Sequence, residues 1–225
     1  MGNLAQRRTI LAIVVLVTAS LMPALAVHGN TITYQMQIPL RPTDWNQLVT
    51  VPQYDPSTGM LNFVVVRLGA NFQATILAEN RAPIPGNITA TLTTAVVLTP
   101  PSPLAPLSAT ASIAQNSQPV AAYDGVPWVG PDVAAWSLGP TQLNAQQTFT
   151  GANMNAFLGS GTLQFAVAGA AMSSVSSDTP SLAAQIVSRS GAQIQVEYDY
   201  TIIPEPATVV LLLIGLAALH RGRRS

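Results

Sequence analysis

The feature that most constrains this chain is a strict two-residue alternation near its end. Ile194, Val196, Tyr198, Tyr200 and Ile202 alternate with Gln193, Gln195, Glu197, Asp199 and Thr201. Successive side chains of a strand point to opposite faces, so this stretch makes a strand with one apolar and one solvated face. Thr31 to Ile38 repeats the pattern, with Ile32, Tyr34, Met36 and Ile38 set against Thr31, Thr33, Gln35 and Gln37. A strand that is apolar on one side needs a second layer to cover it.

The intervening residues supply more such strands. Gln47 to Val51 reads as a short strand, and Asp55-Pro56-Ser57-Thr58-Gly59 carries turn chemistry. Leu61 to Leu68 is a nearly continuous apolar run, Gly69-Ala70-Asn71 reads as a turn, and Phe72 to Ala78 alternates again. After a Pro/Gly loop over Asn80 to Gly86, Ile88, Ala90, Leu92, Thr94, Val96 and Leu98 share one face of a strand that prolines 100, 101, 103 and 106 close. Leu107 to Ala114 reads as a further strand, and Asn116 to Pro140 as a loop. A helical turn is expected around Ala152 to Phe157, a strand at Thr162 to Ala168, a polar loop at Ser173 to Thr179, and a strand at Ala183 to Ser188. Short strands separated by turn signals, with no amphipathic helix, predict an all-β fold: an antiparallel β-sandwich of about 8–10 strands. No internal repeat is visible.

Both ends have a different character. Arg7-Arg8 precedes an apolar run from Ile10 to Met22, and Ala24-Leu25-Ala26 places small residues at the −3 and −1 positions of a cut after Ala26. A basic start, an apolar centre and an A-x-A site define a secretory signal peptide over 1–26. Gln6 to Leu11 partly resembles a twin-arginine signal, but no cofactor needing cytoplasmic loading is in view, so the general secretory route is expected. At the other end Pro204-Glu205-Pro206 is followed by uncharged Ala207 to Leu219 and then His220-Arg221-Gly222-Arg223-Arg224-Ser225. As a helix that run would span roughly 20 Å, against the ~30 Å of a bilayer's hydrocarbon layer, so it is a poor permanent anchor.

This tail, at 204–225, resembles a PEP-CTERM sorting signal. The resemblance implies recognition of Pro204, Glu205 and Pro206 by an exosortase, a membrane enzyme of Gram-negative bacteria that produce extracellular polysaccharide. Arg221, Arg223 and Arg224 would act as the basic stop, held on the cytoplasmic side. The body, 27–203, resembles the choice-of-anchor E domain. Thr43-Asp44-Trp45, Val51 to Leu61, Glu79-Asn80, Tyr123-Asp124-Gly125, Phe149-Thr150-Gly151, Gly159 to Thr162 and Val196 to Thr201 carry that likeness. The tryptophan-bearing insert after Gly125 departs from it. The family brings no catalytic or binding residues to carry over.

Removing the two ends unmasks the body's charge. Val27 to Ile203 holds four arginines and eight acidic residues, a formal charge of −4, and the chain has no lysine. So few cations cannot neutralise a phosphate backbone, which excludes nucleic acid as a partner, and no P-loop or Schiff-base chemistry is available. Cysteine is absent, which removes thiol nucleophiles and thiolate metal sites. The body's one histidine, His28, cannot by itself serve a triad or a zinc site.

Two groups of side chains remain as candidates. Trp128 and Trp136 lie in the expected 116–140 loop, where an indole is either a glycan contact or a plug for the end of the core. Asp44, Asp124, Asp132 and Asp178 could converge as a glycosidase pair, although loop aspartates are commonly turn-makers. No cofactor is expected; calcium bound by loop oxygens is left open, with no ligand pattern that places it. Glu197 and Asp199, on the solvated face of the last strand, read as edge charges that discourage pairing. Asn87-Ile88-Thr89 matches a glycosylation acceptor, but it lies at a strand start and the bacterial signals argue against its use. The expectation is therefore an exported, exosortase-sorted protein of the cell surface or matrix, structural or adhesive and not an enzyme. Its partners would be the secretion machinery, the exosortase, transiently the inner membrane, and exopolysaccharide. A carbohydrate-binding module and a carboxylate-based glycoside hydrolase are the rival readings.

Overall fold

Alternation dictates strands, and their pairing dictates the rest. In the computed structural model, which describes residues 29–202 together with Leu213 and Gly215, eight strands follow one another. They are β1 (Gly29–Pro42), β2 (Trp45–Pro52), β3 (Met60–Asn80), β4 (Gly86–Thr99), β5 (Leu107–Val120), β6 (Val133–Phe149), β7 (Thr162–Ser177) and β8 (Leu182–Thr201). Two short 3-10 helices, Pro56–Thr58 and Gly151–Phe157, fill turns. The expected signal peptide with Ala24 and Ala26, His28, and the motifs Pro204-Glu205-Pro206 and Arg221, Arg223, Arg224 lie outside the described residues. Among the described residues no helix is long and apolar enough to cross a membrane.

Pairing is antiparallel throughout, first strand with last and inward from there: β1 with β8, β2 with β7, β3 with β6, β4 with β5. Contacts of β3 with β8 and of β4 with β7 complete two four-stranded sheets, β1-β8-β3-β6 and β2-β7-β4-β5. This is one long hairpin rolled into a sandwich, the eight-strand jelly-roll order.

Several expected breaks prove to be continuous strand. Gly69-Ala70-Asn71 does not turn; Gly69 pairs with Asn144 on one side and Gln193 on the other, inside the 21-residue β3. Ala183 to Ser188 and the closing strand are one element, β8. The polar stretch from Ser173 belongs to β7 as far as Ser177, laddered onto Ile88 to Leu92 of β4. The 116–140 loop shrinks to residues 121–132. Prolines explain much of the misreading. Pro39, Pro119 and Pro140 sit on β1, β5 and β6, all edge strands, where a missing N–H interrupts no second ladder. Pro39 and Pro140 also coincide with bulges.

The core forms between the inner faces. Val64, Val66 and Leu68 of β3 and Ile194 and Val196 of β8 meet Val96 and Leu98 of β4 and Phe165 and Val167 of β7. The face expected for β4 is the buried one, Thr94 included; its hydroxyl donates to the Ala170 carbonyl at 3.2 Å. A second cluster around Ile76, Ile88, Leu92 and Trp136 fills the other end. Tyr198 is fully buried among Tyr34, Tyr54 and Phe157, with ring centroids 6.0, 5.9 and 6.3 Å away. Burial, assisted by Tyr34, pushes its phenol well above the ordinary tyrosine range. Its hydroxyl donates to the Pro52 carbonyl at 2.9 Å, tying β8 to the end of β2. Tyr198→Phe leaves that carbonyl without this donor, and urea unfolding is expected to show a loss of about 1–2 kcal/mol.

Candidate functional site

Three loops meet at one end of the sandwich, and a single amide joins them. Asn80, the last residue of β3, is fully buried. Its Nδ2 donates to the carbonyls of Ile84 at 2.8 Å and Ala121 at 2.7 Å. Its Oδ1 accepts from the Ala82 N–H at 3.0 Å and the Thr179 hydroxyl at 2.9 Å. A primary amide has two donor hydrogens and two acceptor lone pairs, so its capacity is filled. The β3–β4, β5–β6 and β7–β8 connections are held by one side chain.

Next to it, Glu79 has a fully buried side chain and accepts from Arg81 Nε at 2.7 Å and from the backbone N–H of Trp128. This carboxylate anchors the loop from below. Trp128, at a left-handed φ of 64°, is half-buried with the Arg81 guanidinium 5.7 Å from its ring centroid. Trp136 is 6% exposed and faces Ile76 across the β3–β6 ladder. Of the two roles open to an indole, Trp136 takes the plug; its ring offers no face for a glycan.

The loop aspartates divide in two. Asp44 Oδ1 accepts from the Ala171 N–H at 3.3 Å. Asp178 accepts from the side-chain amide of Asn87 at 3.0 Å and from its backbone N–H at 2.7 Å, and these hold its carboxyl below the usual range. The Asn87 amide is thus engaged in a turn contact. Asp124 and Asp132 do converge, on Gly130, but Asp132 is fully buried. They do not flank an open cleft as a glycosidase pair must.

Glu197 and Asp199 are not edge charges. β8 lies between β1 and β3, and Glu197 accepts from Arg67 at 2.7 Å while Asp199 accepts from Asn62 Nδ2 at 2.7 Å. The solvent face to which they belong carries an extended polar array. Register brings Gln35, Gln195, Arg67 and Gln146 into one row across β1, β8, β3 and β6, and Gln37, Gln193, Gly69 and Asn144 into the next. Asn71 and Gln142 continue it. Neighbouring strands are about 4.8 Å apart and same-face residues about 7 Å apart along a strand, so the amides form a regular lattice of donors and acceptors. The bare backbone of Gly69 leaves a shallow groove of about 360 Å³ bordered by Arg67, Asn144, Gln146, Gln193 and Gln195. A Cβ there would press on Asn144 Oδ1 at 3.2 Å. A second groove of about 420 Å³ lies beside Asn71, Gln73 and Gln142. The one charge in the first groove, Arg67, is already paired with Glu197.

The alternation exposes the β1 and β8 halves of this array; its β3 and β6 halves are hidden by the expected turn at Gly69 and by the stretch after Pro140, where no strand is expected. Two amide faces on strands far apart in sequence are the signal that could have found it.

No family model matches the chain, and no curated relative matches it by sequence. Among solved structures, dimeric latent PorU from Porphyromonas gingivalis aligns over 80% of this chain and 14% of its own, at 10% identity and a TM-score of 0.25. The VP2 subviral particle of infectious bursal disease virus aligns over 88% of this chain and 50% of its own, at 11% identity and a TM-score of 0.16. The chain spans only part of each, and likenesses at these scores carry no functional argument.

Asn80→Ala would remove a shared partner from four groups in three loops, two of them, the Ala82 N–H and the Thr179 hydroxyl, buried. It is expected to cost about 3 kcal/mol in urea unfolding and to speed hydrogen exchange at the Ala82 amide.

Proposed function

We propose that this chain is an exported surface or matrix protein, delivered by an exosortase, whose jelly-roll domain acts by adhesion to neutral polysaccharide and not by catalysis. The observation that carries the adhesive reading is the amide lattice on the β1-β8-β3-β6 face. Side-chain amides donate and accept in the same plane, matching sugar hydroxyls, which also do both. With its arginine internally paired, the groove suits an uncharged ligand better than an anionic one. Shallowness suits a long polymer making many weak contacts in place of one deeply enclosed ligand.

Two features support this contact over the tryptophan-based one. Trp136 is in the core, and Trp128 is half-buried under Arg81. The export and sorting part rests on the sequence: the A-x-A site at Ala24 and Ala26, the Pro204-Glu205-Pro206 motif, the short apolar run and the arginine cluster. The last strand ends at Thr201, so a cut within the motif would leave all eight strands whole.

Two measurements test these parts separately. Against a panel of neutral and acidic polysaccharides, the protein is expected to retain neutral ones. The Asn144→Ala/Gln193→Ala double variant should lose at least about tenfold in affinity, with Trp128→Ala little changed. Equal binding by the double variant removes the amide face from consideration. Mass spectrometry of protein recovered from the cell surface or medium is expected to show a C-terminus near Pro204 to Pro206; a mature protein still ending in Arg224 and Ser225 contradicts sorting.

A further inference from the structure

We propose that the β5–β6 loop holds a calcium ion between the carboxylates of Asp124 and Asp132, which close together over the bare backbone of Gly130. This site is independent of the amide face and of any polysaccharide.

The first observation is Asp132. It is fully buried, and neither carboxylate oxygen has a hydrogen-bond partner. A buried carboxylate without donors is among the least favourable groups a protein can contain, unless a cation compensates it. It is fixed in place as well, because its backbone carbonyl accepts from the Asn80 N–H at 2.9 Å at the end of β3. Arg81, in the neighbouring turn, is engaged by Glu79.

The second observation is what Asp132 faces. A Cβ on Gly130 would collide with Asp124 Oδ2 and stand 2.9 Å from Asp132 Oδ1, so the two carboxylates crowd a single point. Asp124 commits its other oxygen, Oδ1, to the Val126 N–H at 2.8 Å, and its Oδ2 lies against Gly130. Gly130 has φ +111°, a left-handed backbone that L side chains rarely adopt, and its missing Cβ is what lets the two carboxylates come this close. Two like charges pressed together, one buried and bare, repel unless a positive charge lies between them.

A divalent ion bound by oxygen resolves this. Asp124 is exposed and provides access, and Asp132 closes the inner side. No group of three or more acidic or histidine side chains placed to hold a metal ion is present among the described residues. The remaining ligands are therefore loop carbonyls and water, as calcium's flexible six-to-eight oxygen shell permits and magnesium's rigid octahedron resists. Two carboxylates place the affinity in the weak class of extracellular calcium modules, Kd about 10⁻⁴–10⁻³ M.

The test uses the full chain after treatment with a chelator. Titration with Tb³⁺ is expected to give indole-sensitised emission, because Trp128 lies in the same loop, and Ca²⁺ should reverse it in the range above. Calcium at ten times Kd should raise the melting temperature by roughly 3–6 °C. Asp124→Asn, at an exposed position, should abolish both effects while melting no lower than the wild type in chelator, since it relieves the repulsion. Trp128→Phe should dim the emission and keep the thermal shift. Identical melting of the wild type in chelator and in calcium overturns the proposal, as does a full shift in Asp124→Asn. Reversal by Mg²⁺ at the same concentration overturns the choice of calcium.

Discussion

The pairing of β3 with β8 is the constraint on which the rest of the structure depends. Every peptide group that leaves water must find a partner. These strands are the longest, and they ladder from Met60 opposite Thr201 to Asn80 opposite Leu182. Both are interior strands of their sheet, so both of their hydrogen-bonding edges are used. A slip of one residue would turn Val64, Val66 and Leu68 to water and Arg67 into the core, which leaves one acceptable register. Since β3 and β8 lie far apart in sequence, that register is set by packing against the second sheet and not by any local turn.

Two consequences follow at different points along β3. At its end, Asn80 arrives where the β5–β6 and β7–β8 connections also end, and its amide has the right number of donors and acceptors to join them. At its middle, Gly69 arrives between Asn144 and Gln193, and its bare backbone opens a groove among long amide side chains. One strand therefore positions both a rigid loop end and an open polar face.

Several of the body's few charges are placed in pairs or stacks. Arg67 meets Glu197, Arg81 meets Glu79, and Arg41 lies 4.6 Å from the Trp45 ring centroid while donating to Gln47 at 2.8 Å. Asp55 caps its 3-10 turn through the Ser57 N–H, and this bond holds its carboxyl below the usual range. Against this pattern Asp132, buried with no donor, stands apart. The sandwich core has no use for such a group, which is why its loop is the place to look for a ligand.

The sequence by itself determined the strands and their faces. Period-two alternation at Thr31 to Ile38, Ile88 to Leu98 and Gln193 to Thr201 separates the inward-facing side chains from the solvated ones, because a strand's geometry admits no other assignment of faces; Ile202, expected to close the last strand, lies past its end and is 56% exposed. It also determined which chemistries the body lacks, since absent lysine and cysteine cannot be supplied by folding. What it did not determine was where strands stop. Pro39, Pro119 and Pro140 signal breaks locally, and only a position on a sheet edge makes them tolerable. Nor could it show that glutamines on β1 and β8 share rows with residues of β3 and β6, or that Asp124 and Asp132 face one glycine. Those are facts of long-range register and loop closure, and they exist only once distant segments have paired.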